Sequence, residues 1–390
     1  MPKFCLRLLG CLLALATLSC SRQAASPQKT MEYATLLKVE DGKVISICPF
    51  DGSEDTLTVD KPLGKVICMS TSHIAFLDAI GCDSVICGVS GAGYASSLEL
   101  RKRIDAGSVP DVGYDQAPDY EKILALQPDV LLAYKVSAAE SPFLAKLKSL
   151  GVKVFTLYEF LENHPLGRTE YLKAFGLMTG REAQADSLFQ DIAARYNAIA
   201  VQPSEDHPKA VGRNFRTSDG TPEATPSDTL GGTNHPQGRK IMADAHSGGC
   251  STPARVLMNI PYGDIWYVPG AESYMSKLVK DAGGEILGAR EGETESRAIS
   301  LEEAFVLAQE ADFWLNVGWC RTRTDLNAAN PLFKDFKIQH IYNNIRRTSP
   351  GGGNDFWESG YLRPDLILQD LRAIFTSDST TALTYYLPVD

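Results

Sequence analysis

A chain of 390 residues is long for one ordinary domain and suits two lobes, and 44% hydrophobic with 22% charged residues is a globular composition able to bury a core. The formal charge is −10, and without residues 1–19, which carry Lys3 and Arg7 and no acid, it becomes −12. That balance excludes the basic footprint that nucleic acid requires and leaves a protein whose acidic patches can meet basic partners.

In chain order, the first signal is a leader. Lys3 and Arg7 precede an apolar stretch over 8–18, of signal-peptide length and too short to span a bilayer. Thr17-Leu18-Ser19-Cys20 follows, and a small residue before a cysteine at this place resembles a bacterial lipobox, which makes Cys20 the lipidation site. The expected division is a lipoprotein signal over 1–19, a tether and N-terminal hairpin over 20–60, an N-terminal lobe over 61–165, a helical linker over 166–201, an insertion over 203–253 and a C-terminal lobe over 254–390. Residues 33–60 alternate apolar and polar around Asp41-Gly42 and Asp51-Gly52, the pattern of a hairpin or meander. Apolar runs predict strands over 65–69, 85–89, 130–134 and 152–157. Helices are predicted between them over 73–80, with Ser70-Thr71-Ser72 as its cap, over 120–126, and over 143–150. Strands alternating with helices imply a parallel sheet covered on both faces. After Gly180, Ala185, Leu188, Phe189, Ile192, Tyr196 and Ile199 recur at helical spacing, predicting one long helix over 181–201. A second alternation follows: strands over 255–260, 266–268 and 312–317, and helices over 273–282, 301–309 and 363–375. The stretch 203–253 is rich in Pro, Gly, Ser and Thr and reads as a surface insertion unable to offset its ordering entropy. Its His235, His246 and Cys250 lack ligand spacing, so no metal site is assigned.

Beyond the leader and Cys20, the cysteines are Cys48, Cys68, Cys82, Cys87, Cys250 and Cys320; there is no C-x-x-C, and Cys68 and Cys87 read as buried small hydrophobes. No G-x-S-x-G, H-E-x-x-H or G-x-x-x-x-G-K occurs, so no catalytic residues are assigned and the protein is not read as an enzyme.

Several stretches carry a resemblance: Val-Pro-Asp-Val-Gly-Tyr over 109–114, Asp-Tyr-Glu-Lys-Ile-Leu-Ala-Leu-Gln-Pro-Asp-Val-Leu-Leu-Ala-Tyr over 119–134, Leu-Lys-Ser-Leu-Gly-Val over 147–152, Phe-Gly-Leu-Met-Thr-Gly over 175–180, and 278–284. In this order they resemble the periplasmic binding proteins of ABC importers for ferric siderophores, haem and cobalamin, the class with a rigid interdomain helix. His-Pro-Leu-Gly over 164–167, 260–266 and 354–359 look like the branch found in Bacteroidetes. The resemblance covers 60–200 and 254–376. It implies an α/β fold of two Rossmann-like lobes with parallel sheets, joined by a single long helix, with a ligand cleft between them. It further implies a monomeric binding lipoprotein on the periplasmic side of the envelope. Such a protein captures an iron complex, or alternatively cobalamin, and has no cofactor of its own. Its partner is a permease and ATPase complex, with the membrane reached only through the lipid. A chelatase-type enzyme or a scavenger without a permease are the remaining readings.

Bulky, partly aromatic metal complexes need flat apolar surfaces and a few charges. In the first lobe Tyr94, Tyr114 and Tyr134 stand after or between strands; Tyr134 resembles a cleft aromatic of cobalamin binders. In the second lobe Trp266, Tyr267 and Trp357 are the candidates, and Arg346 and Arg347 suit ligand carboxylates. The resemblance assigns Glu121 and Glu302 to permease docking. His73 reads as a polar helix-start residue, since no second and third histidine accompany it.

Overall fold

The computed structural model describes residues 31–114, 116–201 and 252–390. The leader, Cys20 and residues 203–251 of the insertion lie outside them. The first ordered unit is the expected meander: β1 (Leu37–Glu40), β2 (Lys43–Ile47) and β3 (Glu54–Thr58) pair antiparallel in that order. Asp41 and Gly42 both take positive φ, 47° and 73°, the tight turn that matches strand twist.

The first lobe contains β4 (Val66–Cys68), α1 (Thr71–Ala79), β5 (Ile86–Val89), α2 (Leu98–Asp105), the short ribbon β6 (Gly113–Tyr114) and β7 (Ala117–Pro118), α3 (Tyr120–Leu126), β8 (Val130–Tyr134), α4 (Pro142–Ser149) and β9 (Val154–Leu157). Its sheet runs β5-β4-β8-β9 with every neighbouring pair parallel. The predicted runs fall on these strands because a parallel sheet covered on both faces buries successive side chains; all three residues of β4 are buried. Helix α2 escapes the pattern because only Leu100 of its eight residues is buried. Cys68 is buried as expected, whereas Cys87, on the edge strand β5, is only half-buried.

The linker is three helices rather than one: α5 (Pro165–Glu170), α6 (Leu172–Thr179) and α7 (Glu182–Ile199). Gly180 ends α6 in the left-handed region at φ 68°. A Cβ on Gly176 would stand 2.6 Å from the Ala185 Cβ, so α6 and α7 meet at a distance that glycine permits. The 18 residues of α7 are unbroken and reach about 27 Å. Its stripe of Ala185, Phe189, Ile192 and Tyr196 is buried, and its far end is tied into the second lobe: the Tyr196 hydroxyl donates to the Asp281 carboxylate and the Val201 N–H to the Asp281 carbonyl.

The second lobe contains β10 (Ala254–Met258), β11 (Ile265–Val268), α8 (Tyr274–Asp281), β12 (Gly284–Ile286), β13 (Arg297–Ser300), α9 (Leu301–Glu310), β14 (Phe313–Leu315), α10 (Arg323–Ala329), β15 (His340–Asn343), α11 (Ser359–Leu362), α12 (Pro364–Phe375) and β16 (Leu387–Pro388). The sheet order is β12-β10-β14-β15-β16, parallel until the antiparallel edge strand β16. Strands β11 and β13 form a separate antiparallel ribbon.

Two carboxylates from the end of the first lobe and the linker fasten the start of the ordered chain. Glu170, fully buried, accepts the backbone N–H groups of Glu32, Tyr33 and Ala34 and pairs with Lys173. Glu162 accepts those of Thr35 and Leu36 and the Thr35 hydroxyl. Burial pushes the Glu162 carboxyl up, against those donors. Five consecutive amides are thereby satisfied without a strand partner. Glu170→Ala leaves three of them and Lys173 without an acceptor, so the unfolding free energy in urea should fall by about 3 kcal/mol; a change within about 0.5 kcal/mol, the ordinary surface range, would contradict the clamp.

Candidate functional site

In both sheets the parallel strands end at one edge, and these two edges face each other. The contact that shows this is direct: the Gly351 N–H and the Ser349 hydroxyl, after β15, both donate to the Gly93 carbonyl, after β5, at 3.0 and 2.9 Å. Loops at strand C-terminal ends are where an open α/β sheet binds ligands.

On the first-lobe edge, Gly91 adopts φ 68°, and a Cβ there would meet the rings of Tyr94 and Tyr114 at 2.8 and 3.0 Å. The two tyrosines sit 6.3 Å apart, centroid to centroid, and both are about half-exposed. Asp111 fixes this corner by accepting the N–H groups of Gly91, Ala92 and Gly113; sequence reasoning passed over it because an Asp in a loop carries no pattern of its own. Tyr134 ends β8, half-buried, edge-on to Phe160.

On the second-lobe edge, the expected residues are rearranged. Trp266 does not reach the cleft: it is 0% exposed, packed against Trp314, Phe333 and Phe336, with its indole N–H donated to the Met258 carbonyl. The cause is strand alternation, since β10 stops at Met258 and the following turn delivers Trp266 to the inner face of β11. Tyr267 accordingly takes the outer face of that ribbon. The aromatic presented by the turn is Tyr262, 85% exposed, with its N–H on the Ile265 carbonyl. The loop after β14 presents Trp319, 62% exposed. Its loop turns through Asn316 and Gly318 at positive φ, and the Asn343 side-chain amide holds it by donating to the Gly318 and Cys320 carbonyls. A Cβ on Gly318 would lie 2.6 Å from Ile260, so the two loops pack together. Tyr262 and Trp319 were missed although each follows a buried strand, the same signal that selected Tyr134.

Trp357 is partly exposed on a short turn, its ring against Phe356 and Tyr361. Arg347 pairs with the buried Asp355 at 2.9 Å and is half-exposed; Arg346 is exposed on the same loop. His73 lies inside the first lobe rather than at a surface helix start. Ser70 is the cap of α1, and fully buried His73 stands 3.4 Å from the carboxylate of Glu159, which also accepts the Ser72 hydroxyl. Burial raises the Glu159 carboxyl, but the His73 charge and these donors outweigh it and leave it below the usual value.

Glu121 and Glu302 occupy matching places. Each is exposed and second in its helix, behind a capping residue: the Asp119 carboxylate receives the Lys122 N–H before α3, and the Ser300 hydroxyl receives the Glu303 N–H before α9. Each helix leads into a sheet strand, β8 and β14, so both N-termini stand at the facing edges.

Residues 66–214 match the family described as periplasmic binding protein. An uncharacterized lipoprotein of Methanocaldococcus jannaschii is 26% identical over 351 residues, 87% of this chain and 71% of the relative. Among solved structures, a periplasmic heme binding protein from Pseudomonas aeruginosa superposes with a TM-score of 0.53 at 18% identity, over 84% of this chain and 98% of that one. A periplasmic binding protein from Veillonella parvula gives 0.55 at 15% identity, over 86% and 98%. These likenesses establish the two-lobed fold. No helix of the described residues is long and apolar enough to cross a membrane.

One carboxylate of the site titrates near neutrality. Glu358 is buried, and burial pushes it up to about 8, with the Asp355 charge adding to the effect and the Ser96 and Ser97 N–H donors opposing it. A carboxyl raised in the folded state holds a proton that the unfolded chain releases near pH 4.5, so its stabilisation is full below that pH and is lost as pH rises through 8. Glu162 and Asp370, also raised, act in the same direction. Glu358→Gln should therefore lessen the fall in melting temperature between pH 5 and pH 8; a slope identical to that of wild type would contradict the assignment.

Proposed function

We propose that this protein is the solute-binding lipoprotein of an ABC importer, that it captures an iron complex such as a ferric siderophore or haem, and that it hands it to a permease and ATPase complex without chemical turnover. The observation that carries this is the set of exposed aromatics on the two facing edges, Tyr94 and Tyr114 on one lobe and Tyr262, Trp319 and Trp357 on the other. Exposed rings on two facing edges suit a flat, bulky guest better than a small hydrated ion. Arg346 and Arg347 lie on the same edge and fit an anionic ligand. Tyr134 joins this set from the first lobe; Trp266 does not, and Tyr267 stands on the outer ribbon. The similarity to a heme binding protein and to a lipoprotein supports the ligand class and an anchor at Cys20 on the periplasmic side. Glu121 and Glu302, one per lobe, would dock on basic pockets of the permease and set one orientation.

A single set of variants separates capture from delivery. Affinity for haem, a ferric siderophore and cobalamin is measured by fluorescence quenching, and uptake of the same compounds is followed in cells. The Tyr262→Ala, Trp319→Ala double variant should lose affinity about tenfold or more, as removal of aromatic anchors does. The Glu121→Lys, Glu302→Lys double variant should keep its affinity and lose uptake. Tight binding of cobalamin alone would replace the iron complex as cargo. Unchanged uptake in the charge-reversed variant would replace delivery with scavenging.

A further inference from the structure

The loop of the second lobe that precedes α11 does not hang over the groove. It is built onto the first lobe by backbone contacts. Besides the two hydrogen bonds to the Gly93 carbonyl, the Glu358 carboxylate crosses between lobes to accept the Ser96 N–H at 2.8 and 3.0 Å and the Ser97 N–H at 3.1 Å. Glu358 is 3% exposed. Two glycines, Gly351 and Gly353, make the approach possible. A Cβ on Gly351 would lie 2.4 Å from the Gly93 oxygen and one on Gly353 2.1 Å from the Tyr94 oxygen, whereas one on Gly93 would make an ordinary contact at 3.6 Å with the Gly351 Cα. Distances under 3.0 Å to backbone atoms cannot be relieved by a rotamer, so any side chain at 351 or 353 must drive the loops apart. The Ser349 hydroxyl further ties its own loop by receiving the Gly353 N–H.

The residues fastened here flank two of the proposed ligand contacts. Tyr94 lies between Gly93 and Ser96 on the first lobe, and Trp357 immediately precedes Glu358 on the second. We propose that the contact between 91–97 and 349–358 is a standing wall of the groove and that Glu358 is the positioning residue that holds Tyr94 and Trp357 in place for the bound complex. This rests on the groove being the ligand site. With the wall in place, the guest enters between the loops bearing Tyr134, Tyr262 and Trp319, and closure tightens that open stretch rather than the walled one.

Amide hydrogen exchange on the full chain reads the wall without any ligand, and haem dissociation reads the positioning. In wild type the amides of Ser96, Ser97 and Gly351 should exchange slowly, since their partners lie across the groove. Glu358→Ala removes the acceptor; Gly353→Ala wedges the loops and leaves Glu358 intact. Both should speed exchange over 91–97 and at Gly351, and haem release, by about tenfold or more, the usual route by which contact loss weakens a complex. Exchange in α7 should not change. Glu358→Gln keeps one acceptor oxygen and should rescue haem release to within about threefold of wild type, the loss of roughly one modest hydrogen bond. Free exchange of these amides in wild type would overturn the wall. Faster exchange with haem release unchanged would overturn the positioning role and leave a structural contact. Failure of wild type to bind haem, a ferric siderophore or cobalamin would overturn the ligand reading and the positioning role with it, while exchange still decides the wall.

Discussion

Arg168 sits where the two lobes meet the linker, and the arrangement of the molecule depends on how its charge is buried. A guanidinium cannot shed its proton in a protein, so it must be enclosed with partners or not at all. Its Nε donates to the Glu162 carbonyl and an Nη to the Phe160 carbonyl, both from the first lobe's last loop. Its flat face lies 3.6 Å from the ring centroid of Tyr274 and 4.5 Å from that of Tyr361, both from the second lobe. Cation–π contacts of this kind gain strength when desolvated. One side chain on α5 thus joins both lobes, and the Thr169 hydroxyl beside it reaches the Leu362 carbonyl. With α7 also unbroken, the lobes are braced twice. Wide hinge opening would have to expose Arg168 or break helical hydrogen bonds, so a largely preformed groove is the consistent arrangement.

That constraint explains the character of the proposed site. A groove that closes little must recognise its guest with surfaces already in place, and large aromatic rings do this at low entropic cost. The loops carrying these rings are each held by a polar residue with several backbone contacts: Asp111 beneath Tyr94 and Tyr114, Asn343 beneath Trp319, and Glu358 between Tyr94 and Trp357. The fold supplies rigidity through buried carboxylates and amides, and the rings exploit it.

The strands and major helices were legible because burial on both faces leaves continuous apolar runs, as at β4 and β8, and because Ser70 caps the helix that follows. What stayed illegible has physical causes. Helices α2 and α10 each bury a single leucine and so show no stripe. Strand β16 is a two-residue edge containing Pro388. The site was half legible: position after a strand selected Tyr94, Tyr114 and Tyr134, but the inward or outward fate of Trp266 and Tyr262 depends on a strand ending two residues earlier than its apolar run suggests. Glu162, Glu170 and Glu358 were invisible because a buried carboxylate looks like a surface one until its backbone donors, distant in sequence, are known.

Native mass spectrometry of the purified protein with haem, a ferric siderophore and cobalamin, each offered separately, tests the central claim most directly. Facing aromatic edges on a braced pair of lobes predict one retained adduct per chain, with the metal and its chelator leaving together. Spectra showing only the bare protein with all three compounds would contradict it.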